Sequence, residues 1–159
     1  MIVYVALIAL LFIALVAVES QISTSERRAR AFLDINSAAV SAFSRFSRDI
    51  RRASSIDTVN STLSASSGKL ALIMKKSDGT NDTTTFYLSS GKVKVDENGV
   101  YTGDITQENM EVSNLTFWKF SMGTSTAVRI ELTLAPDATT TVPALNFYGT
   151  YVLRGSYIQ

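Results

Sequence analysis

Residues 1–55 read MIVYVALIALLFIALVAVESQISTSERRARAFLDINSAAVSAFSRFSRDIRRASS, and this stretch decides the fold. Residues 1–18 are all apolar and contain no charge, glycine or proline. Residues 19–55 also lack glycine and proline and are rich in alanine, serine and arginine, so nothing in them breaks a helix. We therefore predict one helix over residues 1–55, whose first third meets lipid or like helices and whose last part meets a folded domain.

The second part of this helix carries an apolar stripe. Its members recur at steps of three, four and seven residues, which places them on one helical face. They are Phe32, Ala39, Phe43, Phe46, Ile50 and Ala53. The pattern predicts that Phe43, Phe46 and Ile50 pack the helix onto a domain. It also predicts that Arg45 lies on the opposite face, where its replacement changes the stability little.

Composition limits the chemistry of the chain. The 159 residues carry a formal net charge of +1 and 18% of them are charged, so we do not expect nucleic acid as a partner. Cysteine and histidine are absent, which excludes disulfides and thiolate metal sites and removes the commonest general base. About 100 residues follow the helix, enough for one compact domain.

The apolar N-terminal run has three interpretations. A secretory signal peptide needs a basic n-region, but the first basic residue here is Arg27. A membrane anchor of 18 residues spans about 27 Å of the roughly 30 Å hydrocarbon core, and its flanking arginines lie on the far side. A start further upstream, with a basic leader, would repair both the length and the charge asymmetry. The membrane and assembly contacts that we expect are Met1, Tyr4, Leu7, Leu11, Phe12, Leu15 and Val18.

The spacing of the apolar residues changes after a polar connector at residues 58–69. Within this connector we expect Val59 and Leu63 to pack against the domain. From Leu70 the apolar residues alternate, as they do in strands. The alternation predicts an antiparallel meander with tight turns at Asp78-Gly79, at Ser90-Gly91 and over residues 96–99 (DENG). Its strands cover residues 70–76, 83–89, 92–95 and 100–102.

A second group of strands follows. Residues 110–120 alternate with Val112, Leu115, Phe117 and Phe120 as core candidates, and the slip of phase after Val112 predicts a bulge. Strands are also predicted at residues 126–134 and 145–153, on either side of a threonine-rich loop at residues 135–143. One face of this sheet needs a cover, and the stripe on the helix is the apolar surface left to provide it.

Several of these stretches resemble type IV pilin-like proteins, which include the pseudopilins of type II secretion. Residues 1–7 (MIVYVAL) resemble the pilin helix just after the family's N-terminal glutamate, and residues 46–56 (FSRDIRRASSI) resemble the helix end of minor pilins of the J type. Residues 86–91 (FYLSSG) and 151–155 (YVLRG) are similar to strands of such subunits. The resemblance implies a pilin-like fold and assembly with other pilin or pseudopilin subunits from the lipid bilayer.

Two features of that family are missing from this sequence, namely the prepilin-peptidase site and the glutamate. If residues 1–7 correspond as described, the glutamate would stand directly before Met1. We therefore expect that the natural gene product begins upstream and that prepilin peptidase is a partner through its leader.

The turn around Gly99 is a candidate calcium site. Asp96, Asn98 and Asp104 supply oxygen ligands there, and some pseudopilins hold calcium in a loop of their β domain. A solvated hairpin turn explains the same residues, because the EF-hand spacing is not met. No pattern of catalytic residues is evident, so we expect neither enzyme activity nor a cofactor. For Trp118 we expect a core position in its strand by default, and it is a candidate partner contact if it faces outward.

The sequence therefore predicts an α+β, pilin-like fold. Its segments are residues 1–18 for membrane or filament core, 19–55 for the amphipathic half of the helix and 56–159 for an antiparallel β domain. The predicted function is that of a structural subunit, a minor pilin or pseudopilin, anchored in the inner membrane with the β domain outside the cytoplasm. The alternative is a single-pass membrane protein whose β domain binds a ligand or partner. Pilus or secretion system, major or minor rank, and glycosylation stay open.

Overall fold

A computed structural model describes residues 2–76, 78–123, 125–136 and 142–154 of the chain, with the Met122 side chain left aside. It confirms the α+β class: a long N-terminal helix is followed by antiparallel strands. The elements are α1 Ile2–Arg52, β1 Ser55–Ile56, β2 Lys69–Lys75, β3 Asn81–Ser89, β4 Lys92–Glu97, β5 Val100–Asp104, β6 Met110–Met122, β7 Ser125–Pro136 and β8 Leu145–Val152. The helix ends at Arg52, three residues before the predicted end, because Ser55 and Ile56 pair with β2.

The described strands form two antiparallel sheets. Sheet A has the order β1-β2-β3-β4-β5 and sheet B has the order β6-β7-β8. The turn predicted at Ser90-Gly91 is confirmed. The turn predicted over residues 96–99 is narrower, because β4 continues to Glu97 and Asn98 and Gly99 alone connect it to β5. Ser90 and Gly91 have φ of 52° and 68°, and Asn98 and Gly99 have φ of 54° and 78°, the left-handed pair that suits the twist of a tight hairpin.

The bulge predicted in β6 is confirmed, because the register against β7 shifts between Val112 and Asn114. After this shift, the odd-numbered residues Leu115 and Phe117 point into the core. Phe120 is even-numbered and therefore lies on the outer face, so its prediction as a core residue is wrong. Period two places consecutive residues on opposite faces, and the bulge decides which set faces inward.

Only the last part of α1 is buried. Its buried residues are Ala31, Ile35, Ala38, Ala39, Ala42, Phe46, Asp49 and Ile50. Small alanines lie at the centre of this face and let the helix approach the sheets closely. Phe32, predicted within the stripe, lies at the margin of the buried face and is 38% exposed. The stripe is thus correctly placed from Ala39 onward and is wrong at Phe32.

Phe46 joins the helix to both sheets. Its ring is 5.1 Å from that of Phe86 on β3 and 6.0 Å from that of Phe117 on β6, both edge to face. Edge-to-face pairs add stability beyond the area that they bury. The side chain is fully buried, so the core of the domain forms where the helix and the two sheets meet around one ring.

The connector before β2 ties the sheets together. The Ser64 amide donates to the Phe117 carbonyl at 2.8 Å, and the Gly68 amide donates to the Leu115 carbonyl at 2.7 Å. Leu63 packs against the core as predicted. Val59 does not, because it is 90% exposed, so the prediction that it packs against the domain is wrong.

Candidate assembly and membrane surface

The first part of α1 projects away from the β domain. Every described residue from 2 to 30 is exposed, and the first buried helix residue is Ala31. An 18-residue window of this helix has a mean hydropathy of 2.8, and none of it is buried. By length and composition the helix is able to cross a membrane, although a signal sequence near an N terminus has the same character.

The predicted assembly residues lie on this projecting part. Tyr4, Leu7, Leu11, Phe12, Leu15 and Val18 are all exposed, and Met1 lies outside the described residues. Ile8, Leu11, Phe12 and Leu15 line a shallow apolar groove of about 230 Å³ on one side of the helix. A helix that is apolar all round is normally surrounded by lipid or by other helices. An exposed apolar surface of this size therefore marks a membrane or protein contact.

Packing at the other end of α1 fixes where the projecting part points. Phe46 and Ile50 are fully buried, and the half-buried ring of Phe43 lies against Phe46 and Tyr151 with ring centroids 6.0 Å and 6.5 Å apart. The predicted packing residues thus come together at the junction between α1 and the sheets. Because the helix runs on without a break, its direction there sets the direction of the apolar part.

An ion-pair network crosses the same junction. Arg45 Nε lies 2.6 Å from Asp49 Oδ2, and Arg45 Nη2 lies 2.6 Å from Glu97 Oε1 on β4. Only 5% of the Asp49 side chain is exposed. Burial lowers the pKa of Arg45, but the hydrogen bond to Glu97 and the charge of Asp49 outweigh this effect and raise the pKa above its ordinary value.

This network corrects the prediction that Arg45 faces away from the domain. Arg45 is half-buried at the edge of the interface, where its long side chain reaches over to β4. Sequence reasoning also missed Asp49, which lies inside the apolar stripe between Phe46 and Ile50. The available signal was the i,i+4 spacing of Arg45 and Asp49, which places the two charges side by side.

The candidate calcium ligands have other partners in the structure. Asp96 accepts a hydrogen bond from the Tyr87 hydroxyl at 3.1 Å, and Asp104 accepts one from the Tyr101 hydroxyl at 2.8 Å. Asn98 accepts a hydrogen bond from the Thr83 amide at 2.9 Å. In the described part of the chain, no group of three or more Asp, Glu, His or Cys side chains is placed to hold a metal ion.

The outer face of sheet B carries a group of exposed apolar side chains, most of them aromatic, and we call this surface the outer aromatic face. It consists of Trp118, Phe120, Tyr148 and Val152, with Arg129 on the central strand. The Arg129 guanidinium lies 5.5 Å from the centre of the Tyr148 ring and pairs with Glu131 at 3.1 Å. Trp118 therefore points outward and not into the core, which corrects the default expectation, and in this orientation it is a candidate partner contact.

Comparison of the chain with known protein families, with curated proteins and with solved structures finds no match. Fold and surface alone therefore define the class. This protein has an N-terminal helix that is long and apolar enough to cross a membrane, and its far end packs on an antiparallel β domain. That arrangement is compatible with a pilin-like fold and with a single-pass membrane protein.

Proposed function

We propose that this protein is a pilin-like structural subunit, a minor pilin or pseudopilin of a type IV pilus or a type II secretion system. The observation that carries the proposal is the division of α1. Residues 2–30 are exposed and begin with an apolar run, whereas the buried residues of the helix, from Ala31 to Ile50, belong to the core. Such a helix suits a subunit that is stored in a membrane and then bundled with its neighbours.

The same surface serves both states. In the membrane the apolar residues of α1 face lipid, and in a filament they face the helices of other subunits. Both environments are apolar. Residues 2–18 carry no charge, so their transfer from lipid to a bundle of helices leaves no charged group unpaired. At about 1.5 Å per residue, the 51-residue helix is about 77 Å long, so the β domain stays outside the apolar layer.

The absence of cysteine from the chain allows a direct test of this assembly. A single Leu11→Cys substitution places one thiol in the apolar groove, and oxidation in cells should then cross-link subunits helix to helix. The matched control is Val59→Cys, which places an exposed thiol on the β domain, away from the apolar part of α1. We expect the Leu11→Cys cross-link in filaments sheared from the cells, together with other pilin or pseudopilin subunits.

Cross-linking confined to the membrane, with no chain in the sheared filament fraction and no secretion defect on deletion, would refute assembly. The second candidate function would then hold: a single-pass membrane protein whose β domain binds a partner outside the cytoplasm. The observation that favours it is the outer aromatic face, since exposed Trp and Tyr beside Arg are typical of protein contact sites.

A further inference from the structure

A cleft of about 280 Å³ separates the end of α1 from sheet A. It opens where polar residues begin to replace apolar ones on the inner face of the sheet. The row of Leu70, Phe86 and Val95 is apolar and buried. In the next row toward the hairpin tips Leu72 on β2 is still apolar and buried, but its neighbours on β3 and β4 are Thr84 and Glu97. The helix side of the cleft is formed by Arg45, Arg48, Asp49 and Arg52, and the sheet side includes Asp82, Thr84 and Glu97.

Thr84 is the unusual residue of this cleft. It is only 5% exposed, and its hydroxyl has no hydrogen-bond partner within the residues that the structure describes. Leaving a buried polar group unpaired costs about 1–3 kcal/mol, so such groups normally have a partner from protein, solvent or ligand. The Thr84 hydroxyl is therefore a donor available to a molecule in the cleft.

The charges of the cleft are compensated unequally. Arg45 pairs with both Asp49 and Glu97 at 2.6 Å, and Asp82 pairs with Lys76 at 2.8 Å. Arg48 has only a longer contact, 3.5 Å, to Asp49. Within the described chain Arg52 has no ion pair or hydrogen bond. Arg45 and Arg48 together balance Asp49 and Glu97, and Lys76 balances Asp82, so among the described residues of the cleft one positive charge, that of Arg52, is left over.

We propose that this cleft binds an oxyanion, a carboxylate or phosphate group, through the guanidinium groups of Arg48 and Arg52 and the hydroxyl of Thr84. Arginine presents two parallel N–H donors that match the paired oxygens of such groups. Thr84 donates to a further oxygen and thereby gains its missing partner. The site lies at the junction between α1 and sheet A and does not depend on the proposed role in a filament.

The test uses the full chain in maltoside micelles, a detergent without phosphate or carboxylate groups. The protein is titrated with inorganic phosphate and, in a separate experiment, with acetate, both at constant ionic strength. Nuclear magnetic resonance would follow the Thr84 amide and the arginine side chains. We expect saturable shifts at the cleft with at least one anion, and comparison of the two titrations identifies which group the site prefers.

Arg52→Gln and Thr84→Val should each weaken this binding about tenfold, the loss expected for one hydrogen bond to a charged group. Arg51→Gln is the matched control, because it removes the same charge from the neighbouring residue, which does not line the cleft. Arg52 is exposed, so its variant retains the fold, and thermal unfolding checks Thr84→Val. Equal weakening by Arg51→Gln and Arg52→Gln, or no saturable shift with either anion, would overturn the proposal.

Discussion

The ring of Phe43 on α1 lies against Gly149 in the middle of β8. A Cβ at Gly149 would come within 2.7 Å of Phe43 Cε1 and 2.8 Å of Cδ1, closer than real Cβ contacts allow. Glycine usually weakens a strand, and here it is needed because helix and strand approach each other so closely. Gly149→Ala should therefore lower the free energy of unfolding by about 1–3 kcal/mol, measured by chemical denaturation.

Two further variants show whether the Phe43 ring is the cause. Thr150→Ala changes the next residue of β8, which is exposed, and should alter stability little. Phe43→Leu combined with Gly149→Ala should lose less stability than the sum of the two single changes, because the smaller side chain leaves room for the methyl group. Strict additivity would show that the two residues do not compete for space.

Arg45 should matter for stability even though the side chain is partly exposed. Arg45→Ala removes the closest partner of the buried Asp49 carboxylate, and loss of one member of a buried pair costs about 3–5 kcal/mol when no other partner takes over. Arg48 lies 3.5 Å from Asp49 and takes over in part, so we expect about 2 kcal/mol. The double variant Arg45→Ala, Asp49→Ala should recover part of this loss, and no difference between single and double variants would contradict the interpretation.

A chain beginning at Glu19 should be a soluble monomer that keeps the β domain intact. The deletion removes the exposed apolar run and leaves every buried residue of α1, which begin at Ala31. Light scattering coupled to gel filtration would measure the mass, and circular dichroism would measure the unfolding temperature. Aggregation of this shortened chain, with the full chain soluble in the absence of detergent, would refute the assignment of the membrane surface.

Lys92 should stabilise the segment between β5 and β6. Its ammonium group donates to the carbonyl oxygens of Gln107, Glu108 and Met110 at 3.0, 2.7 and 2.5 Å. Lys92→Met keeps the length of the side chain but leaves these carbonyls without the donor, which should lower the free energy of unfolding by about 1.5–3 kcal/mol.

Lys94→Met is the control for Lys92, because Lys94 lies on the same strand and its side chain, among the described residues, contacts the Tyr101 ring, 5.3 Å from its centre, and no carbonyl group. Its loss should cost less than about 1 kcal/mol. Hydrogen exchange should also quicken at residues 105–110 in the Lys92 variant alone. Equal behaviour of the two variants would show that the carbonyl contacts contribute nothing specific.

Asp82 should titrate below its ordinary pKa of 3.8 because Lys76 hydrogen-bonds to it, with a further hydrogen bond from Asn98. A carboxyl whose pKa is depressed by folding contributes stability above the unfolded value, and this contribution is lost as the pH falls through the folded value. Lys76→Met should raise the pKa of Asp82, measured by carbon resonance of the carboxyl group. Asp57, whose pKa is lowered mainly by Asn60, should not move, and an equal change at both would contradict the pairing.

Much of the architecture could be predicted locally. A run of more than 50 residues without glycine or proline leaves a helix as its natural conformation, and Asn98-Gly99 has the left-handed conformation that a two-residue hairpin requires. The slip of phase after Val112 was enough to place the bulge. Each of these features depends on residues close together in the chain, so the amino-acid sequence alone was sufficient to predict it.

Tertiary structure decided which faces meet. The strands divide into sheets of five and three, Phe120 turns outward, and Arg45 reaches across to Glu97, 52 residues further along the chain. Periodicity shows that a helix or strand has an apolar face, but the partner of that face depends on contacts between distant segments. The cleft at Thr84 depends on the same contacts, because its lining joins arginines at the end of α1 to residues of β3 and β4 that are far from them in sequence.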